Sequence, residues 1–281
     1  MAAAARIAIV TGANQGLGYA LVEGLCRTLG PEGVVYLTGR DEARVREAAG
    51  RLGDEGLRPR PGVMDVSDAA SVARLAEQLA RAHGGVDLVI SNAARRLVRE
   101  APPASQVRAF IETNNLGTTH VLERFAPLLR DGGRLLVIAS SFGRLRHLPA
   151  HLHARFDGAG SLESVDAVML AYADAVERDT AAAEGWPAWI NIASKVGQVA
   201  SMRVLARTLR DEAERRRLLI DAVCPGLVDT EASRPWFDDM SQAQSPAAAA
   251  ADIVWLATTA YEPQLPYGEL VRHREVLSWA G

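Results

Sequence analysis

The chain of 281 residues is 48% hydrophobic and 23% charged, which suits a buried α/β core and argues against a disordered or fibrous chain. Its net charge of −3 argues against a nucleic-acid partner, and no apolar run approaches the length of a membrane span. Two cysteines in this length exclude a disulfide framework, and with no secretory core near Met1 a cytoplasmic protein is expected.

Short β-rich runs at 7–10, 34–38, 58–66, 86–91, 135–139, 218–223 and 270–271 alternate with helical patterns. Leu21, Leu25 and Leu29 repeat at helical spacing, as do Val72, Leu75 and Leu79, and further on Val199, Met202, Leu205 and Leu209. This alternation predicts a Rossmann-type α/β fold, a doubly wound parallel sheet of about seven strands with helices on both faces. No internal repeat or Pro/Gly-rich linker interrupts it, so residues 1–281 read as a single dinucleotide-binding and catalytic domain. Two stretches exceed the minimum for such a fold. Residues 144–189 form an insertion with His147, His151, His153 and a predicted helix over 162–183. Residues 231–247 form a polar loop after Pro225-Gly226. Both begin at carboxyl ends of strands, where ligands bind in such sheets, so both are expected to border the cleft.

Thr11-Gly12-Ala13-Asn14-Gln15-Gly16-Leu17-Gly18 joins the first strand to the first helix. Its glycines let the backbone turn tightly and approach a pyrophosphate, and the following helix offers free N–H groups and a positive dipole end. At the end of the second strand a carboxylate would favour the ribose 2′-OH of NAD and repel a 2′-phosphate. Gly39 occupies that place and Arg40 follows it, so NADP(H) is the expected cofactor. Farther along, Lys195 is the only lysine among 31 basic residues. Nearly every cationic position has gone to arginine, which marks this one as a place where an ammonium is needed rather than a planar fork. Asn191 precedes it by four residues and shares its helix face.

The loop spacing T-G-x-x-x-G-x-G resembles the short-chain dehydrogenase/reductase superfamily, and four further motifs extend the resemblance along the chain. Ser91-Asn92-Ala93-Ala94 is similar to N-N-A-G with two departures, and Thr113-Asn114-Asn115-Leu116-Gly117 to the helical T-N-x-x-G segment. Ser140-Ser141-Phe142-Gly143 is similar to S-x-x-G, and Pro225-Gly226-Leu227-Val228-Asp229-Thr230 to P-G-x-V-x-T. Within the superfamily the chain looks most like the monomeric carbonyl reductases, through Glu184-Gly185-Trp186-Pro187 and the long insertion. The resemblance implies a cofactor site made from Gly12, Asn14, Gln15, Gly16, Leu17, Gly18, Arg40, Asp65, Val66, Asn92, Ala93, Lys195, Pro225, Gly226, Val228 and Thr230. The family's usual basic residue in the glycine loop is Gln15 or Asn14 here. It also implies that the insertion covers the usual pairing surface, so a monomer is expected over a dimer.

Four residues act together in typical members of that superfamily. Serine holds the substrate carbonyl, tyrosine donates a proton, lysine binds the nicotinamide ribose, and asparagine supports a water-linked proton path. By resemblance Ser140, Lys195 and Asn114 take three of these places, and Asn191 stands where the tyrosine would be. A carboxamide donates a hydrogen bond but has no acid function near neutral pH. General acid catalysis is worth roughly 10²–10⁴-fold, so ordinary ketone reduction should be impaired. Hydride transfer to the C=C bond of an enone fits the remaining groups. A ketone reductase with a substitute proton donor is its close competitor, and the substrate is expected to be an apolar small molecule, such as one of secondary metabolism. A non-redox cyclase, an isomerase or a cofactor-binding pseudoenzyme is the alternative from another class. Ser141, Tyr172 and Trp186 are expected at the substrate pocket, with Tyr172 the first substitute acid to consider. The histidines are expected to be solvated loop residues, and no metal site is expected.

Overall fold

A computed structural model describes residues 5–281. The chain runs β1 (Ile7–Val10), α1 (Gly16–Leu29), β2 (Val34–Gly39), α2 (Glu42–Asp54), β3 (Arg60–Val63), α3 (Ala69–His83) and β4 (Val86–Ser91). It continues through α4 (Val107–Ile111), α5 (Gly117–Phe125), β5 (Leu129–Ile138), α6 (Ala150–Asp157), α7 (Leu162–Glu177) and α8 (Ile190–Thr208). Last come α9 (Arg210–Arg216), β6 (Leu219–Val223), α10 (Pro246–Thr258), β7 (Leu270–Arg272) and β8 (Glu275–Leu277). All strands join one sheet in the order β3-β2-β1-β4-β5-β6-β7-β8. Every pairing is parallel except β7 with β8. The order reverses between β1 and β4, which opens a crevice above their carboxyl ends.

The central strands are apolar on both faces because both are covered. Ala8, Val10, Leu88, Ile90 and Leu136 pack toward α1, α2 and α10. Ile9, Val89, Leu135 and Val137 pack toward the other helical layer, which includes α3, α5 and α8. The stripe Val72, Leu75, Leu79 is fully in this second core, as are Val199 and Met202.

Among the described residues eight strands replace the seven or so expected. The extra one, β8, is only three residues long and forms a hairpin with β7. The hairpin turns at His273 and Arg274, whose φ values are 49° and 67°. Such turns favour Asn-Gly, and His-Arg carries no such signal. The helix expected over 162–183 stops at Glu177, where Asp179 takes a left-handed φ of 58°. Residues 112–116 widen into a π-turn between α4 and α5, a local departure that places Asn114 and Asn115 in the interior.

Candidate active site

The crevice holds one continuous trough. Its outer part is lined by Gly12, Asn14, Gln15, Arg40, Asp65, Val66 and Ala93, in a cavity of about 570 Å³. Its inner part, about 480 Å³, is lined by Gly16, Leu17, Gly18, Asn92, Asn114, Ser140, Ser141, Asn191 and Lys195, with Pro225, Gly226, Val228 and Thr230 closing one side.

Glycine is required at two points of the trough wall by close approach. A Cβ on Gly12 would lie 2.6 Å from Ala93 Cα, at a φ of +61°. A Cβ on Gly18 would lie 2.5 Å from Asn92 Nδ2 and 2.6 Å from Gly12 O. Asn92 clasps the loop by donating from Nδ2 to Thr11 O (2.9 Å) and Gly12 O (3.1 Å). Thr11 Oγ1 in turn accepts from the N–H groups of Asn92 and Ala93 at 2.9 and 2.8 Å. The N-cap of α1, Gln15, makes no side-chain hydrogen bond to the helix. The first-turn N–H groups therefore stay open to an anion at the positive end of the helix. Arg44 joins Arg40 on the outer wall, a second guanidinium that no motif marks. Asp65 is partly engaged already, since its Oδ1 accepts from Ser67 N at 3.0 Å and from Ser67 Oγ at 2.6 Å. A glycine cradle that a Cβ would fill, an uncapped helix end and two guanidiniums fit a phosphorylated dinucleotide.

Ser140 follows β5, and its Oγ accepts from Phe142 N at 3.3 Å, which leaves its own proton free to donate. Asn191 lies in the first turn of α8 and keeps partial exposure to the cavity. Lys195, one turn on, donates from Nζ to Ile138 O (3.2 Å) and Gln198 Oε1 (2.7 Å). Burial pushes its ammonium down to about 8, with the Cys224 thiol opposing the shift. Asn114 Oδ1 accepts from Arg95 N at 2.7 Å, which ties the π-turn to the loop after β4.

Tyr172 and Trp186 are corrected by the structure. Neither lines the trough: Tyr172 is fully buried, with its ring 4.6 Å from that of Trp186. The apolar stripe of α7 faces α8, where a Cβ on Gly197 would come within 2.6 Å of Met169 Sδ. The stripe is therefore core. Among the described residues the Tyr172 hydroxyl has no partner, and burial pushes it well above the usual phenol range. Tyr172→Phe is expected to leave turnover unchanged and to keep or raise Tm, because it removes a buried, unpaired hydroxyl. A tenfold fall in kcat would return Tyr172 to the chemistry.

The aromatic groups that do meet the cavity are Phe110, Phe142, Trp189, Trp236 and Phe237. Trp189 stacks on Trp236 at 5.6 Å and meets Phe142 edge-on at 5.2 Å. Of the insertion, only Trp189 at its end lines the trough, since α6 and α7 pack behind α8. The loop after β6 contributes Ala232, Ser233, Trp236 and Phe237. Arg96 and Arg99 tie the opposite lip to this loop, through Glu231 Oε2 (2.8 Å) and Pro235 O (2.9 Å). The three insertion histidines each pair with a backbone carbonyl, His147 with Ser141, His151 with Glu184 and His153 with Leu148. Among the described residues no group of three or more His, Cys, Asp or Glu is placed to hold a metal.

A doubly wound sheet whose switch point carries a glycine-walled anion cradle is the architecture of a Rossmann-type dinucleotide-binding protein. Comparison with known proteins narrows that class. Residues 6–150 match the family model described as short chain dehydrogenase, and the chain belongs to that family. It is 34% identical to mouse (Mus musculus) carbonyl reductase [NADPH] 3 over 285 residues, covering 99% of this chain and 100% of the relative. It is 32% identical to carbonyl reductase [NADPH] 1 of Macaca fascicularis, covering 98% of each. Salutaridine reductase from Papaver somniferum shares the fold with a TM-score of 0.79 at 23% identity, covering 94% of this chain and 99% of that one. Among the described residues no helix is long and apolar enough to cross a membrane.

Proposed function

We propose that this protein is an NADPH-dependent reductase of small molecules and that its preferred reaction is reduction of an enone C=C bond. The carbonyl reductases it resembles carry NADPH in their names, and Arg40 and Arg44 beside the cradle suit a 2′-phosphate. The observation that carries the finer reading is the first turn of α8, which presents a carboxamide at Asn191 to the cavity shared by Ser140 and Lys195.

NADPH, when bound, supplies the hydride. Lys195 holds the nicotinamide ribose and adds positive charge beside the reacting centre. Ser140 Oγ and Asn191 Nδ2 donate to the substrate oxygen and stabilise the charge that gathers there. The substrate's β-carbon accepts the hydride, the C=C π electrons move to form an enolate, and water protonates the α-carbon to give the saturated ketone. Neither Ser140 nor Asn191 has to give up a proton. Phe142, Trp189, Trp236 and Phe237 make the cavity wall apolar, which favours a substrate of the same character.

Matched enones and saturated ketones test this reading by NADPH oxidation and product analysis. Enones are expected to consume NADPH one for one and yield saturated ketones, with simple ketones turning over slowly. Allylic alcohols as products would replace the reading with ketone reduction through a substitute acid. Tight NADPH binding without oxidation by any compound would replace it with a non-redox role.

A further inference from the structure

Lys195 does not end the polar network of the site. Its Nζ donates to Gln198 Oε1 at 2.7 Å, the shorter of its two hydrogen bonds. Gln198 Nε2 donates to Thr118 Oγ1 at 3.0 Å, and Thr118 Oγ1 donates to Asn114 O at 2.7 Å. Gln198 and Thr118 are each 2% exposed, and Asn114 is 1% exposed. A glutamine in the interior face of a helix is costly to bury unless both ends of its amide are satisfied, and here both are. The chain has one consistent direction. The Thr118 hydroxyl spends its proton on a carbonyl, so it must accept from the Gln198 amide, and Gln198 must then turn its oxygen to Lys195. A second tether lies beside it: Asn115 Nδ2 donates to Ser194 O at 2.9 Å, and Ser194 Oγ donates to Asn115 Oδ1 at 2.8 Å. The π-turn and α8 are thus fastened to each other on either side of the lysine.

We propose that Gln198 is a positioning residue for Lys195, anchoring its ammonium where the nicotinamide ribose is held and coupling it to the Asn114 turn. The inference rests on the proposed placement of Lys195 and stands whichever bond of the substrate is reduced. An amide neither gains nor loses a proton in the working range, so this chain transmits geometry and charge and not a proton. Lysine becomes a fixed cation rather than a station on a proton path, which agrees with a first turn that carries no phenol. The single oxygen of Gln198 matches a compact ammonium. Two oxygens, Gln198 Oε1 and Ile138 O, converge on the single nitrogen of Lys195, an arrangement that suits a compact ammonium.

Few other groups face the lysine. Just after β6 comes the Cys224 thiol, the titratable side chain whose charge acts on it, and Arg95, Arg96 and Arg272 line the same cavity. NADPH affinity should therefore follow the lysine's protonation. The measurement is NADPH binding by fluorescence between about pH 7 and 10, above the range where a phosphate monoester titrates. Wild type, Gln198→Leu, Gln198→Glu and Lys195→Met are compared, with thermal melts to confirm folding. Wild-type affinity should fall with a midpoint near 8. Gln198→Leu removes the acceptor, which should lower the midpoint by about one pH unit, and Gln198→Glu should raise it by a similar amount. A merely structural glutamine would lower Tm in both variants without moving the midpoint in opposite directions. Coincident midpoints in wild type and the Gln198 variants, with Lys195→Met flat, would overturn the inference alone. Unchanged binding and pH dependence in Lys195→Met would overturn the placement of the lysine, and this inference with it. If Gln198→Leu fails to fold, the upward shift in Gln198→Glu decides.

Discussion

Asn191→Tyr is expected to raise turnover of simple saturated ketones by about 10²–10⁴-fold, the usual worth of a positioned general acid. The substitution adds a phenol one turn before Lys195, on the same face of α8 and toward the same cavity. The lysine ammonium would stabilise the phenolate and so lower the phenol's pKa, which brings its proton within reach of a developing alkoxide. Ser140 keeps its free hydroxyl proton for the carbonyl oxygen. Reduction of enones should change far less, because its enolate is protonated on carbon by water. Steady-state kinetics on one ketone and one enone, before and after the change, makes the comparison. Efficient ketone reduction by the wild-type protein, unaltered in Asn191→Tyr, would refute the role given to Asn191.

Gly18→Ala should weaken NADPH binding, through the loop and not through chemistry. The added methyl would lie 2.5 Å from Asn92 Nδ2, 2.6 Å from Gly12 O and 2.8 Å from Ala13 Cα. Two of these are backbone atoms of the cradle, and the third belongs to the side chain that clasps it. Overpacking of this kind costs about 1–3 kcal/mol, and where that strain falls on the ligand-binding form of the loop NADPH Kd should rise by about 5- to 150-fold, together with a lower Tm. Gly50 provides the control. It lies on α2, where an added Cβ would meet nothing within 4 Å, so Gly50→Ala should be neutral or stabilising in the same assays. Equal Kd values for the Gly18 and Gly50 variants would show that the loop is not the cradle it resembles.

The parts of this site that are legible in the sequence are those where one short segment does one job. The glycine loop, the Asn92 clasp, Ser140 and the Pro225–Thr230 turn all lie at carboxyl ends of strands, so strand prediction places them together. Lys195 stands out by composition alone. What stays hidden depends on contacts between distant segments. Periodicity identifies the stripe of Val165, Met169 and Tyr172 but not its partner, and α8 covers it. Trp189, Trp236 and Phe237 come from two separate segments and meet only in the fold. Gln198 carries no motif, and its position on α8 reads as one more interior residue. A polar residue amid Val196, Val199 and Met202 is the available signal. β8 escapes because its hairpin uses left-handed His273 and Arg274 in place of glycine.

The solitary lysine has a practical consequence. Amine-directed chemistry has a single side-chain address in this protein, and that address lies within the dinucleotide trough. With its ammonium pushed down to about 8, Lys195 presents a neutral, nucleophilic amine in mildly alkaline buffer. Reductive methylation or acylation therefore becomes an occupancy assay: a bound dinucleotide over the amine slows labelling, and one modified side chain, read by mass, reports the fraction of sites left open.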